Sequence, residues 1–206
     1  MKYLSIFLHL IIIAVNAQSF DSIKIRIERD SLQTFVNNPE ITISLSCKNN
    51  SGKNLLLYGF EGNITKFGAT IERACDVERV GGGMALLIFN QKHERVYGSW
   101  RISDSIDYKP MPQEKFEEKM NQGRLKYLKG TKVIRASSVL HVDQTIDLRE
   151  FSFRRGIYYL QVIYYSGKSL KTKTVGEEQI DKDRKTHKAE LFQGCAISNT
   201  ITFSVL

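Results

Sequence analysis

From Ser22 to Arg29 the chain alternates: Ile23, Ile25 and Ile27 fall on one side, Lys24, Arg26 and Glu28 on the other. A period of two with one apolar and one charged face is the mark of a half-buried strand. After a turn at Asn37-Asn38-Pro39 the pattern returns, with Ile41, Ile43, Leu45 and Cys47 set against Thr42, Ser44 and Ser46. Asn49-Asn50-Ser51-Gly52 reads as a turn by composition, and Asn54 to Phe60 as the next strand. Three alternating strands joined by turns predict an antiparallel sandwich over a parallel sheet.

The middle of the chain is less regular. Residues 61–83 read as a long connection with one short strand near Thr70, ending in Gly81-Gly82-Gly83. That triplet lacks the Lys-Ser/Thr of a phosphate loop and precedes a strand, so it is read as pliable backbone. Met84 to Asn90 is apolar throughout, as in a strand covered on both faces, and Gln91 to Glu94 turns it into a strand over Arg95 to Ile102. Beyond Pro110 and Pro112, Gln113 to Asn121 has helix-forming composition, with Gly123 as its stop. Phe116 and Met120, four apart, share one face of that helix, which is expected to cap an open end of the sandwich. Val133 to Val142 returns to strand. Asp147 to Tyr165 is the most strand-like run of all, rich in β-branched and aromatic residues. Residues 166–194 form a polar insertion whose charged portion, Glu177 to Glu190, fits a short exposed helix or a solvated loop, and Cys195 to Leu206 reads as the last strand.

Within that last third, Gly156-x-Tyr158-x-Leu160-x-Val162-x-Tyr164, followed by Gly194 and by Ser198-Asn199 opening the final strand, resembles bacterial exported immunoglobulin-like domains. The resemblance implies an all-β, immunoglobulin-like antiparallel β-sandwich with long loop insertions and one or two short helices. It implies that Tyr158 bonds back to the backbone upstream, and that Leu160 stands where antibody domains carry a core cysteine. The inter-sheet disulfide of antibodies therefore has no place here. The insertions at 61–83, 103–130 and 166–194 depart from the compact form. Such domains serve as adhesion modules, enzyme accessories and protease inhibitors alike, so the likeness bears on fold and says little of activity.

The N-terminus changes the picture of where this fold works. Lys2, the apolar run Leu4 to Val15 and the small residues of Val15-Asn16-Ala17 have the layout of a signal peptide cleaved after Ala17. Residues 18–206 are then expected to form a single domain outside the cytoplasm, periplasmic or extracellular, and no other apolar run has the length of a membrane-spanning helix. Loss of Lys2 lowers the net charge from +8 to +7. Three cysteines are too few for a disulfide scaffold; in an oxidising compartment Cys47 and Cys195 are the expected pair.

Charge is uneven. Lys119, Arg124, Lys126, Lys129, Lys132 and Arg135 fall in a stretch, Lys119 to Val142, that holds no acid. A surface of this kind attracts anions, and for an exported protein glycans or lipid head groups come before nucleic acid. Lysines that guard a strand edge are the alternative reading. Tyr97, Trp100, Arg101 and Tyr108 lie between sheet and helix and, with Arg124, Lys126 and Lys129, are the candidate binding residues, suited to a sugar or protein partner. His93, His141 and His187 have no second ligand at metal spacing, so neither a metal nor another cofactor is expected. The sequence thus predicts a non-enzymatic exported module that recognises a cell-surface or extracellular glycan or protein through sandwich loops. Two alternatives stand beside it: a cysteine hydrolase using Cys75, and a protease inhibitor presenting Gly81–Gly83 or residues 166–194 as an exposed loop.

Overall fold

The structure, a computed structural model, describes residues 22–37, 39–61, 64–65, 82–98, 112–167 and 175–206. In chain order these form β1 (Ile23–Ile27), β2 (Ser31–Thr34), β3 (Glu40–Asn49), β4 (Leu55–Leu57), β5 (Ile64–Thr65), β6 (Gly82–Phe89), β7 (Arg95–Val96), α1 (Gln113–Lys129), β8 (Lys132–Ile134), β9 (Val139–Asp147), β10 (Gly156–Ser166), α2 (Glu177–His187), β11 (Glu190–Leu191), β12 (Gly194–Ile197) and β13 (Ile201–Val205). The chain is predominantly β.

One sheet runs β1-β3-β9 and a larger one β2-β13-β10-β6-β5, with β12 also on β10 and β7 on β6. Their apolar faces close over one core, an arrangement compatible with a β-sandwich. From the first sheet come Ile23, Ile25, Ile27, Ile43, Leu45 and Cys47; from the second Leu86, Ile88, Leu160, Val162, Ile201 and Phe203. The alternation legible in the sequence is the burial pattern of β1 and of β3's first eight residues. Not all pairing is antiparallel: β2 lies parallel to β13, β5 to β6 and β11 to β4.

A third, small sheet, β11-β4-β8, sits at one end. Its alternation serves two cores at once. Leu55, Leu57 and Ile134 face the main core, whereas Leu56 and Val133 face a second cluster with Tyr58, Val175, Ile180 and Ala189, against which Tyr127 and Leu128 of α1 pack.

Several boundaries differ from the sequence reading. The helix continues past Gly123 to Lys129 because Arg124 to Lys129 are good helix formers and Tyr127 and Leu128 anchor its end. Val133–Val142 is divided between β8 and β9 by a turn in which Ser137 has φ 56°. Cys195–Leu206 is divided as well. β12 pairs with the far half of β10 and β13 with the near half, while Ser198 fills the gap, its N–H donating to Val162 O at 2.9 Å and its Oγ accepting from Val162 N at 2.9 Å. The expected strand at Arg95–Ile102 is two residues long as described, with 99–102 and the strand near Thr70 outside the described residues.

The pairing of Cys47 with Cys195 is overturned. Cys47 is a free thiol in the sandwich interior. Cys195 is disulfide-bonded, but its side chain lies with Leu87 and Ile163 on the opposite face of the large sheet. Neighbouring Ala196 points inward instead, as the two-residue period of a strand requires.

Candidate functional site

The small β11-β4-β8 sheet and α2 together wall a concave surface. Its foundation is Asn49, fully buried at the end of β3. Asn49 Nδ2 donates to the carbonyls of Lys53, Ile134 and Arg135 at 2.8, 3.2 and 3.0 Å. Its Oδ1 accepts from the Ser51 N–H and hydroxyl at 2.9 and 2.7 Å. A polar side chain removed from water must find such partners, and here they fix the turn that presents Lys53.

Opposite Lys53 stands α2. Glu177 and Glu178 occupy its first turn, and Arg184, Lys185 and His187 its last, the order that complements a helix dipole. Lys188 closes it in the left-handed conformation, φ 46°, donating its N–H to Arg184 O. The helix is held down by Ile180, which is buried, and by the Tyr58 hydroxyl, which donates to Asp183 Oδ2 at 2.7 Å. Burial first, then that bond to the carboxylate, pushes the Tyr58 phenol well above its ordinary range. Glu190 N–H donates to Asn54 O, and Asn54 Nδ2 to Lys188 O, so β4 and the helix end are stitched together.

Between these elements lies a cleft of about 610 Å³ lined by Lys53, Asn54, Asp181, Arg184, Lys185, Lys188 and Glu190 among others. Lys53 Nζ and Glu190 Oε1 meet across it at 2.6 Å, both exposed, a pair of little net energy that a competing charge can displace. Arg184 is 3.5 Å from Asp181. Lys185 and Lys188 have no carboxylate partner among the described residues. The helix dipole accounts for cations at this terminus, but it leaves the cleft with a net positive charge. Beyond Glu190 the surface continues as a shallow recess lined by Ser22, Asn50, Ser51 and Lys53.

The residues singled out from sequence fall elsewhere. Arg124 and Lys129 are exposed on α1; of Lys126 the backbone is described, within the same helix. Tyr97 is 52 % exposed and its ring centre lies 5.9 Å from the Arg95 guanidinium, with Phe89 at 5.5 Å on that same cation. Arg95 Nη2 donates to Leu86 O at 2.7 Å, and burial holds its pKa down to about 10. Trp100, Arg101, Tyr108 and Cys75 lie outside the described residues. Lys132 pairs with Glu61, and His141 Nδ1 lies 2.7 Å from Glu28 Oε1. No group of three His, Cys, Asp or Glu side chains that could hold a metal occurs among the described residues. No helix among the described residues is long and apolar enough to cross a membrane.

The Tyr158 hydroxyl donates to Arg154 O at 3.0 Å and accepts from Arg154 N–H at 3.1 Å. Leu160 is fully buried between Ile88 and Ile201 of the neighbouring strands. What sequence reasoning missed was the cleft. Asn49 reads as a turn residue, and Lys185 and Lys188 fall within the charged run from Glu177 to Glu190 that reads as an exposed helix or solvated loop; that run was the available signal. No protein-family model matches this sequence, and a search of curated proteins finds no match.

Proposed function

We propose that this chain is an exported, non-enzymatic binding module of immunoglobulin-like β-sandwich architecture, which takes a glycan or protein bearing anionic groups at its helix-capped end. The architecture is supported by the strand order, β1-β3-β9 against β2-β13-β10-β6, with the first strands divided between the two sheets, and by the Tyr158 hydroxyl bonded four residues back.

One observation carries the binding site: a cleft walled by Lys53, Arg184, Lys185 and Lys188, in which two lysines lack a carboxylate partner among the described residues and a third is held only by an exposed pair. Convergent cations in a concavity attract and retain anions. Calorimetric titration with heparin as the acidic probe and dextran as the neutral one tests it. Heparin alone should bind, more weakly as salt rises, and Lys185→Glu/Lys188→Glu should lower affinity about tenfold or more with an unchanged circular-dichroism spectrum. Equal binding of dextran, or an affinity indifferent to both reversals, rules this reading out.

A further inference from the structure

The outer face of the β1-β3-β9 sheet contains an arrangement that folding alone disfavours. In the β1–β3 register Lys24 stands directly opposite Lys48, with facing Cβ atoms about 5 Å apart. Arg26 follows on the same face, two residues and about 7 Å along β1. All three are exposed, and none has a carboxylate partner among the described residues, since Glu28 pairs with His141. Like charges placed opposite each other on a sheet destabilise it; here three converge with only the hydroxyls of Ser44 and Ser46 beside them on β3.

This cluster is continuous with the cleft. Asn50 N–H donates to Ser22 O at 2.9 Å, extending the register one pair beyond the Ile23–Asn49 pairing. Ser22 and Asn50 line the recess beside Lys53. By the alternation of strand side chains they share the face of Lys24 and Lys48. Positive charge therefore runs from Lys185 and Lys188, past Lys53, over the end of β1 and β3 and onto the sheet.

Resting on the function proposed above, we infer that the ligand is an extended anionic polysaccharide, one portion seated in the cleft and the next laid across Lys24, Lys48 and Arg26. The face bears the hydroxyls of Ser44 and Ser46, and Glu28, His141 and Asp143 share it beside and beyond Arg26, so its cationic part is the end nearest the cleft. It offers no aromatic platform of the kind on which single-stranded bases stack and, apart from Val139 at its edge, none of the apolar side chains that enter a bilayer. Charge complementarity to a polar polymer is what it has.

The test compares a heparin tetrasaccharide with long-chain heparin on the chain and on its Lys24→Gln/Arg26→Gln/Lys48→Gln variant. Long chains should bind the unaltered protein at least tenfold more tightly than the tetrasaccharide. The variant should lose most of that advantage while keeping tetrasaccharide affinity, and its salt-dependence slope for long chains should fall by about 2–3. Lys24→Glu serves as a folding control, because a carboxylate opposite Lys48 should raise the melting temperature while weakening long-chain binding. The inference is overturned if chain length has no effect, if the triple variant binds long chains unchanged, or if acidic vesicles or single-stranded DNA bind through the same three residues as well as heparin does. Failure of both heparin probes to bind the unaltered chain overturns the underlying function; loss of the length effect alone overturns only this extension of it.

Discussion

At the scale of single residues, the groups that tie this fold together are polar ones at strand ends. Asn199 joins the two sheets: its Oδ1 accepts from Ile27 N–H at 2.8 Å and its Nδ2 donates to Ile27 O at 3.3 Å. Ile27 is fully buried, so removing the amide strands two main-chain groups away from water. Asn199→Ala should cost about 2 kcal/mol, read as a lower denaturant midpoint at unchanged slope; a loss under 0.5 kcal/mol, about the scale of an ordinary surface substitution, would show that water replaces the amide. Ser198-Asn199 was visible in the sequence as a motif. Its work was not, because one residue completes the β10 ladder and the other reaches a strand 172 positions away. Asn49 makes the same point: as part of an Asn-Asn-Ser-Gly turn it looks solvated, and only the approach of β8 buries it.

Among elements, the least independent is α1. Most of it is exposed, with Phe116, Met120 and Leu125 each half or more accessible, and its hold on the protein is at the C-terminal end. There Tyr127 stacks on Tyr58 at 6.4 Å between ring centres, and Glu61 N–H donates to Gly130 O at 3.1 Å. Gly59 makes the approach feasible, for its φ is +62° and the Tyr127 ring occupies the space a Cβ would need. Gly59→Ala should therefore destabilise by about 1–2 kcal/mol from the backbone alone, and by more through collision with the ring. In a Tyr127→Ala background the collision part should vanish and the backbone part remain. Equal costs in both backgrounds would mean that helix and turn do not touch in solution. Sequence placed a helix here over Gln113 to Asn121 with Gly123 as its stop, but a glycine inside a helix is a weak stop that distant anchoring overrides.

For the whole molecule, four acids of high ordinary pKa are removed from water, Cys47, Tyr58 and Tyr164 buried and Tyr127 half-buried against the second cluster. Burial pushes the Cys47 thiol up to about 12 and the phenols of Tyr58, Tyr127 and Tyr164 well above their usual value. Each binds its proton more tightly folded than unfolded, so each contributes stability that is complete below the unfolded pKa, near 9 for the thiol and 10 for the phenols, and is lost as pH rises through the folded value. The denaturant midpoint should be level from pH 7 to 9 on their account and then fall towards pH 12, with a slope approaching about 1.4 kcal/mol per pH unit for one such group. A level midpoint to pH 12 would place these side chains in contact with water. Over the same range Cys47 should resist alkylation until the protein unfolds.

The sequence by itself determined the strands whose two faces differ, β1 and β3, where period and residue type agree because one side meets the core and the other meets water; β10 was legible from its β-branched and aromatic residue types, since it is buried on both faces over Val162–Tyr164. It also determined the uneven charge. Tertiary structure decided everything that depends on which strand neighbours which. It split the last strand, set Cys195 on the far side of the sheet from Cys47, let the small β11-β4-β8 sheet serve two cores, and brought Lys53 against the end of α2. Pairs such as Lys53 and Glu190 lie 137 residues apart in the chain, and no local pattern encodes a contact that forms only when separate elements are packed.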